Sequence, residues 1–113
     1  MKRGEVYWVR LDPIEGSEQA GTRPGVIVSR NAINQYSPVV VICPLTGARP
    51  LTRLYPSDVP VKAPEGGLQV DSVVLTLQVR AVAKSRLQQR LGQLEPDTMT
   101  QVDRALKITL DLS

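Results

Sequence analysis

The chain has no histidine and only one cysteine among its 113 residues. Without histidine, paired-imidazole catalysis, the serine and cysteine triads that use a histidine base, and most zinc sites are excluded. The single cysteine, Cys43, lies in the most apolar segment, where a buried and unreactive side chain is expected. One thiol excludes an internal disulfide and is consistent with a reducing compartment.

Aromatic residues and long apolar runs are also scarce. One tryptophan, three tyrosines and no phenylalanine argue against a broad base-stacking platform. The longest apolar run, Val39–Cys43, is far shorter than the roughly 20 residues of a membrane span, and the N-terminus lacks the apolar core of a signal peptide. We therefore expect a cytoplasmic protein that does not bind membranes. Because the acidic residues are scattered, the sequence predicts no metal ion and no cofactor.

Length and charge limit the kind of site that the chain can form. We expect a single domain over residues 1–113, with any active site on its surface or at a subunit interface. The net charge of +3 is uneven, since residues 23–94 hold nine basic and three acidic side chains, a net charge of +6. Ten of the fourteen cations are arginine, whose planar fork suits phosphate. This distribution favours a polyanionic partner.

Short segments rich in valine and isoleucine, separated by glycine, proline, asparagine and serine, predict a mainly β fold. Many short strands in a small chain indicate a compact barrel or two packed sheets. After Pro96 the apolar period changes to that of a helix, with Met99, Val102, Leu106 and Leu110 on one face. This C-terminal helix is expected to close the barrel or to contact a second subunit. The predicted strands are Glu5–Leu11, Pro24–Arg30, Pro38–Cys43, Arg53–Val61, Leu68–Leu77, Val79–Val82 and Arg90–Leu94.

A polar loop precedes the second predicted strand and holds Glu18, Gln19 and Arg23 within six residues. Glycines near both of its ends let the backbone turn freely. Because Pro24 disfavours a helical conformation for the residue before it, Arg23 is expected to be extended at the start of the strand. The residue types alone leave two interpretations open, an ordinary polar turn and a binding loop.

With histidine absent and no metal expected, the remaining reactive groups are arginine, hydroxyl and carboxylate. They suit cleavage of RNA by its own 2′-hydroxyl, because the nucleophile belongs to the substrate and the protein mainly stabilises charge on the phosphate. Arg23 is the candidate for that role, since a guanidinium binds two phosphate oxygens at once. Thr46, at a strand end, would donate a second hydrogen bond. Glu18 would either accept the 2′-hydroxyl proton or orient Arg23.

Five groups of short motifs occur along nearly the whole chain in an order and spacing that resemble the MazF/PemK family of toxin endoribonucleases. The motifs are Arg3-Gly4-Glu5-Val6-Tyr7-Trp8, Gly16-Ser17-Glu18-Gln19 with Thr22-Arg23-Pro24, Pro44-Leu45-Thr46, Asp71-Ser72-Val73 with Gln78-Val79-Arg80, and Lys84-Ser85-Arg86-Leu87.

The resemblance implies an SH3-like β-barrel with a C-terminal helix, assembled as a homodimer. It also implies a sequence-specific, metal-independent endoribonuclease that cleaves single-stranded RNA to a 2′,3′-cyclic phosphate and a 5′-hydroxyl, and an acidic antitoxin that occupies the RNA groove. The family's catalytic arginine and threonine correspond to Arg23 and Thr46, with Glu18 as the third candidate. The candidate RNA-binding residues are Ser17, Gln19, Gln78, Arg80, Arg3, Asn31 and Arg86.

Two other functions remain open at this point. A CcdB-type toxin shares the barrel but poisons gyrase and has no hydrolytic site, and the loop from Glu18 to Arg23 argues against it. A non-catalytic SH3-like module would bind RNA without cutting it. An assay for cleavage of long single-stranded RNA separates these functions from the enzyme.

Overall fold

The computed structural model describes residues 1–11, 21–47 and 54–113. Within these ranges the chain forms seven β-strands and two α-helices, with short 3₁₀ turns between several of them. The elements are β1 (Glu5–Arg10), β2 (Thr22–Ile27), α1 (Asn31–Tyr36), β3 (Val39–Gly47), β4 (Asp58–Val61), β5 (Ser72–Leu75), β6 (Arg80–Ala83), β7 (Leu87–Gln93) and α2 (Pro96–Leu110), and the 3₁₀ turns are Glu65–Gly67, Thr76–Gln78 and Lys84–Arg86. All paired strands are antiparallel, in the order β4-β5-β3-β2-β1-β7, and β6 also pairs with β3.

The strand β3 is the longest and has three partners. Its first residues pair with β6, its middle with β2, and its last three residues with β5. It therefore belongs to two sheets and carries the chain from one to the other. The end of β3, at Gly47, lies where these sheets meet.

Apolar residues fill both faces of the main sheet because successive side chains of a strand point in opposite directions. The larger cluster includes Val26, Cys43 and Leu45, and α2 covers it with Met99, Val102 and Ala105. The smaller cluster lies on the opposite face and consists of Val9, Leu11, Ile27, Val40, Ile42 and Val82.

The prediction of a mainly β fold with a C-terminal helix is confirmed. The helix α2 begins at Pro96, as its sequence indicates, and ends where Asp111 adopts a left-handed conformation. Its apolar stripe is buried only in the first three turns, since Ile108 and Leu110 are about half exposed. Neither helix in the described ranges is long and apolar enough to cross a membrane.

The third predicted strand, Pro38–Cys43, is too short, because β3 continues through Pro44 to Gly47. Proline usually ends a strand since it has no N–H to donate. Here Pro44 lies between the pairing of β3 with β6, which ends at Ile42, and its pairing with β5, which begins at Leu45. The missing donor falls at the change of partner, so the strand continues.

The second predicted strand, Pro24–Arg30, is too long, because β2 ends at Ile27 and the chain turns into α1. This turn depends on Ser29, whose hydroxyl accepts the N–H of Val41 at 3.0 Å and donates to Asn34. The buried Asn34 amide donates in turn to the Ser29 carbonyl at 2.8 Å. No apolar period marks α1, so the sequence did not predict it.

Four further strands differ in their bounds. The segment predicted as Leu68–Leu77 is a strand only over Ser72–Leu75, since the Ser72 hydroxyl donates to the carbonyl of Val70 and turns the chain there. The predicted strand Arg53–Val61 forms over Asp58–Val61, and its first residue lies outside the described ranges. The last two predicted strands, Val79–Val82 and Arg90–Leu94, are observed at Arg80–Ala83 and Leu87–Gln93.

Two glycines allow the Glu65–Gly67 turn to lie directly against β7. A Cβ atom at Gly67 would stand 2.0 Å from the carbonyl oxygen of Leu91, and one at Gly92 would stand 2.6 Å from the carbonyl carbon of Gly66. Gly67 also has a positive φ of 73°, which disfavours other residues. Main chain therefore packs on main chain at this contact, with no space for a side chain.

A small ionic network joins β1 to β7. The Arg90 Nε donates to Glu5 Oε2 at 2.7 Å, while the Tyr7 hydroxyl and the Lys2 N–H both donate to Glu5 Oε1. Burial alone would raise the pKa of Glu5, but the hydrogen bonds from Arg90 and Lys2 outweigh it and lower the pKa below its ordinary value of 4.5. The ionised carboxylate therefore stabilises the fold.

We predict that Glu5→Gln lowers the free energy of unfolding by about 0.5–1 kcal/mol at pH 7, a small value because the Arg90 side chain is 47% exposed. A depressed pKa stabilises the folded state above pH 4.5, and this contribution is lost as the pH falls through the pKa of the folded state. Urea unfolding at pH 7 and at pH 3 measures the difference. Equal losses of stability at both pH values would contradict the assignment.

Candidate active site

Strand pairing brings Arg23 and Thr46 to the same end of β2 and β3. Arg23 lies in β2 directly opposite Val9 of β1. The paired residues of β2 and β3 run from Ile27–Ile42 to Gly25–Pro44, and Arg23 and Thr46 each lie two residues beyond this last pair on their strands. The Arg23 side chain is exposed and Thr46 is half-buried, so both groups are accessible from solvent.

These two residues share one face of the main sheet. Residues opposite each other in antiparallel strands point to the same side, and so do alternate residues of one strand. Thr46 therefore points to the same side as Ile42, whose partner on β6 is Arg80. At roughly 3.3 Å per residue, Arg80 lies about 13 Å along β3 from Thr46. One face thus carries Arg23, Thr46 and Arg80, beside the smaller apolar cluster.

Two other predicted RNA-binding residues lie in turns. Gln78 ends the 3₁₀ turn before β6 and is half-buried, two residues from Arg80. Arg86 ends the turn before β7, and its Nη1 donates to the carbonyl of Arg10 at 3.2 Å. Since Arg10 is the partner of Thr22, Arg86 lies at the same end of the sheet as Arg23.

The structure places Arg3 and Asn31 at the opposite end of β1 and β2. The Arg3 N–H donates to Asn31 Oδ1 at 2.7 Å, and its Nε donates to the carbonyl of Val28 at 2.8 Å. Its guanidinium also pairs with Asp103 on α2. Arg3 therefore links three parts of the fold. The remaining predicted site residues, Ser17, Glu18 and Gln19, lie outside the described ranges.

A cleft of about 320 Å³ opens beside Arg23, and sequence reasoning did not find it. Its walls come from β1, β2, the end of β3, β7 and the segment before β5, so no local pattern marks it. The one sequence feature that could have indicated the cleft is Trp8, the only tryptophan of the chain, which lies on a predicted strand just before the polar loop. The lining residues include Trp8, Thr22, Arg23, Pro24, Leu68, Gln69, Val70 and Leu91.

The cysteine is buried, as predicted. Cys43 has no exposed surface, and burial raises the pKa of its thiol to about 12. A thiol with this pKa is protonated at neutral pH and is a poor nucleophile. Among the residues that the structure describes, no three cysteine, aspartate or glutamate side chains come together as a possible metal site.

The fold and the site together define a class of protein. A small antiparallel β structure closed by a C-terminal helix presents an exposed arginine and a threonine hydroxyl on one face, with a second arginine further along. Guanidinium and hydroxyl groups on one exposed face suit the phosphates of a single nucleic acid strand.

Comparison with known proteins identifies the family. Residues 2–110 match the family described as PemK-like, MazF-like toxin of type II toxin-antitoxin system. Similar solved structures include an endoribonuclease in complex with its cognate antitoxin from a mycobacterial species, which is 30% identical with a TM-score of 0.83 and covers 100% of this chain and 97% of its own. MazF from Deinococcus radiodurans is 28% identical with a TM-score of 0.83, covering 98% of this chain and 96% of its own.

The chain belongs to the PemK-like, MazF-like family of type II toxins. A MazE–MazF complex from Deinococcus radiodurans is also similar, at 29% identity and a TM-score of 0.78, over 100% of this chain and 97% of the matched one. The family, the fold class and the assignment as an RNA-cleaving toxin, all predicted from the sequence, are confirmed. The roles of individual residues stay predictions.

We predict that Arg3→Ala lowers the free energy of unfolding by about 1–2 kcal/mol, because it removes the hydrogen bond to Val28 and the pair with Asp103. Urea unfolding measures the loss. Arg104→Ala is the matched control, since it removes an exposed arginine one residue along α2 from Asp103. A variant as stable as the wild type would contradict the structural role and leave RNA contact as the function of Arg3.

Proposed function

We propose that this toxin cleaves single-stranded RNA by attack of the substrate's own 2′-hydroxyl on the adjacent phosphate, giving a 2′,3′-cyclic phosphate and a 5′-hydroxyl. The observation that supports the proposal is the position of Arg23 and Thr46 at the same end of β2 and β3 and on one face of the sheet. The reaction needs neither a histidine nor a nucleophile from the protein, and the chain has no histidine.

In this mechanism Arg23 and Thr46 act on the reacting phosphate. As the 2′-oxygen attacks phosphorus, negative charge builds up on the non-bridging oxygens. The bond from phosphorus to the 5′-oxygen then breaks, and that oxygen leaves as a hydroxyl by taking up one proton, which balances the proton lost from the 2′-hydroxyl. The Arg23 guanidinium binds two of these oxygens, and the Thr46 hydroxyl donates a further hydrogen bond. Because both donors are held by paired strands, they need little reorganisation during the reaction. Glu18 either accepts the proton of the 2′-hydroxyl or orients Arg23.

The rest of the same face would hold the RNA strand. Arg80 is about 13 Å along β3 from Thr46, so it can contact a second phosphate. Gln78, two residues away, presents an amide that donates and accepts hydrogen bonds and therefore suits a base edge. Arg86 adds positive charge at the Arg23 end of the sheet. We place this activity in the cytoplasm.

We also propose that an acidic antitoxin segment competes for this surface. A mycobacterial endoribonuclease of 30% identity is known in complex with its cognate antitoxin, and a Deinococcus MazF of 29% identity is known with MazE. Residues 23–94 of this chain carry a net charge of +6, which attracts an acidic peptide as it attracts RNA. Binding of either partner to one basic surface explains how a toxin of this family is neutralised.

We predict that Arg23→Ala and Thr46→Ala each lower the cleavage rate of a long single-stranded RNA by roughly 100- to 1,000-fold, the usual cost of losing one preorganised donor. Both variants should fold normally, since Arg23 is exposed and Thr46 is only half-buried. Arg23→Lys should also be poor, because an ammonium group cannot bind two oxygens in one plane. Gel analysis of the cleaved RNA gives the rates.

Arg30→Ala, which removes an exposed arginine beyond the end of β2, is the matched control and should retain activity. The wild type should also cut in the presence of a chelator and should not cut a DNA copy of the target, which has no 2′-hydroxyl. Near-normal turnover by a folded Arg23→Ala variant would refute its role. Loss of activity with chelator and recovery with magnesium would refute the mechanism.

We further predict that the toxin acts as a homodimer. One barrel offers a shallow surface, whereas two copies side by side form a groove long enough for several nucleotides. Ile108, Leu110 and Leu112 are exposed at the end of α2, so apolar surface is present for a contact between copies. Sedimentation should show a dimer at micromolar concentration. A monomer that retains full activity at the same concentration would contradict the shared groove.

A further inference from the structure

We propose that the cleft beside Arg23 is a nucleobase pocket, in which one base of the RNA next to the cleaved bond stacks on Trp8. This inference rests on the proposed RNA cleavage and adds a determinant of sequence specificity to it. It assigns a role to residues for which neither the sequence motifs nor the catalytic geometry provides one.

The size and walls of the cleft fit a single flat ring system. Its volume of about 320 Å³ is near the lower limit of known ligand pockets, roughly 300–1,000 Å³, which suits one base. Apolar side chains form most of its described lining, among them Pro24, Leu68, Val70 and Leu91 around the half-buried ring of Trp8. Proteins that read single-stranded RNA commonly stack unpaired bases on aromatic side chains in this way.

Polar groups at the cleft can read the edge of the base. Thr22 and Gln69 both line the cleft and have exposed side chains. The Gln69 amide offers a donor and an acceptor, which is the combination that distinguishes base edges. The Ser72 hydroxyl, which also lines the cleft, already donates to the carbonyl of Val70 at 2.9 Å. We therefore assign base recognition to Thr22 and Gln69.

Charge and position favour RNA as the occupant. Arg23 lines the cleft and is also the proposed phosphate ligand, so the two sites share this residue at the start of β2, while Trp8 and Pro24 alternate with it and point to the other face of the sheet. Trp8 lies opposite Pro24, the residue that follows Arg23 in β2. Within the described lining, Arg23 is the only charged residue. A neutral base in the cleft with its phosphate on Arg23 matches this arrangement, whereas an acidic side chain entering the apolar part would lose its hydration.

The first experiment uses the wild-type protein, in which Trp8 is the only tryptophan and reports directly on the cleft. Cut sites are first mapped on a long single-stranded RNA. Short oligonucleotides of the main cut sequence are then made uncleavable by a 2′-O-methyl group before the cut, and one base at a time is removed. We expect Trp8 fluorescence to be quenched by the intact oligonucleotide, and one abasic position beside the cut to abolish the quenching without abolishing binding.

The second experiment measures kcat/KM for Trp8→Leu, which keeps apolar bulk and removes the stacking ring. We expect a loss of roughly 10- to 100-fold, with relaxed preference at the same single base position, and substantial recovery in Trp8→Tyr. Tyr36→Leu is the matched control, because Tyr36 is 80% exposed and lies before β3, at the opposite end of that strand from Thr46. Circular dichroism checks that each variant is folded.

The outcomes separate this proposal from the one on which it rests. If the wild type cuts no RNA, the proposed function fails. If the wild type cuts but every abasic oligonucleotide still quenches Trp8, or a folded Trp8→Leu variant keeps its rate and its base preference, only the nucleobase pocket is refuted. If Trp8→Leu cuts normally but no longer binds the antitoxin, the cleft is a protein-binding pocket and the proposal is wrong. Should Trp8→Leu fail to fold, the abasic series with the wild type decides.

Discussion

The pairing of β3 with three other strands is the constraint on which the rest of the structure depends. Within nine residues this strand joins β6, β2 and β5, so its register aligns both sheets at once. A shift by one residue would exchange the side chains that point to the two apolar clusters, exposing Ile42 and burying Thr46. The same register brings Thr46 to the end of the sheet where Arg23 lies. Core packing and the geometry of the reactive groups are therefore determined together.

The fold class was predictable because it depends on patterns that are local in the sequence. Valine-rich segments and the helical period after Pro96 require no knowledge of distant contacts. The boundaries that differ depend on tertiary contacts. The helix α1 forms around the buried Asn34, and β3 passes through Pro44 because the missing donor coincides with a change of pairing partner. Neither arrangement leaves a periodic signal in the sequence.

The candidate site also combines residues that the sequence could nominate with contacts between distant segments that it could not predict. Arg23 and Thr46 were reached by excluding other chemistry and by family resemblance; both lie at the same end of β2 and β3, and their roles stay predictions. The sequence could not show which candidate arginines also make contacts within the fold. Arg3 was predicted to contact RNA, yet its side chain is held by Val28 and Asp103, at sequence distances of 25 and 100 residues. The cleft was not predicted, because its walls come from five separate segments of the chain.

The contact between Gly67 and Gly92 has a consequence for how such a toxin can diverge. Gly67 and Leu91 both line the cleft, and at this wall backbone packs directly on backbone. A larger residue at either glycine would push the two segments apart, so this side of the cleft tolerates little change. Variation is possible mainly on the facing side, at exposed positions such as Gln69 and Val70. If the cleft reads a base as proposed, new RNA preferences would arise by exchanging a few side chains against this fixed backbone wall.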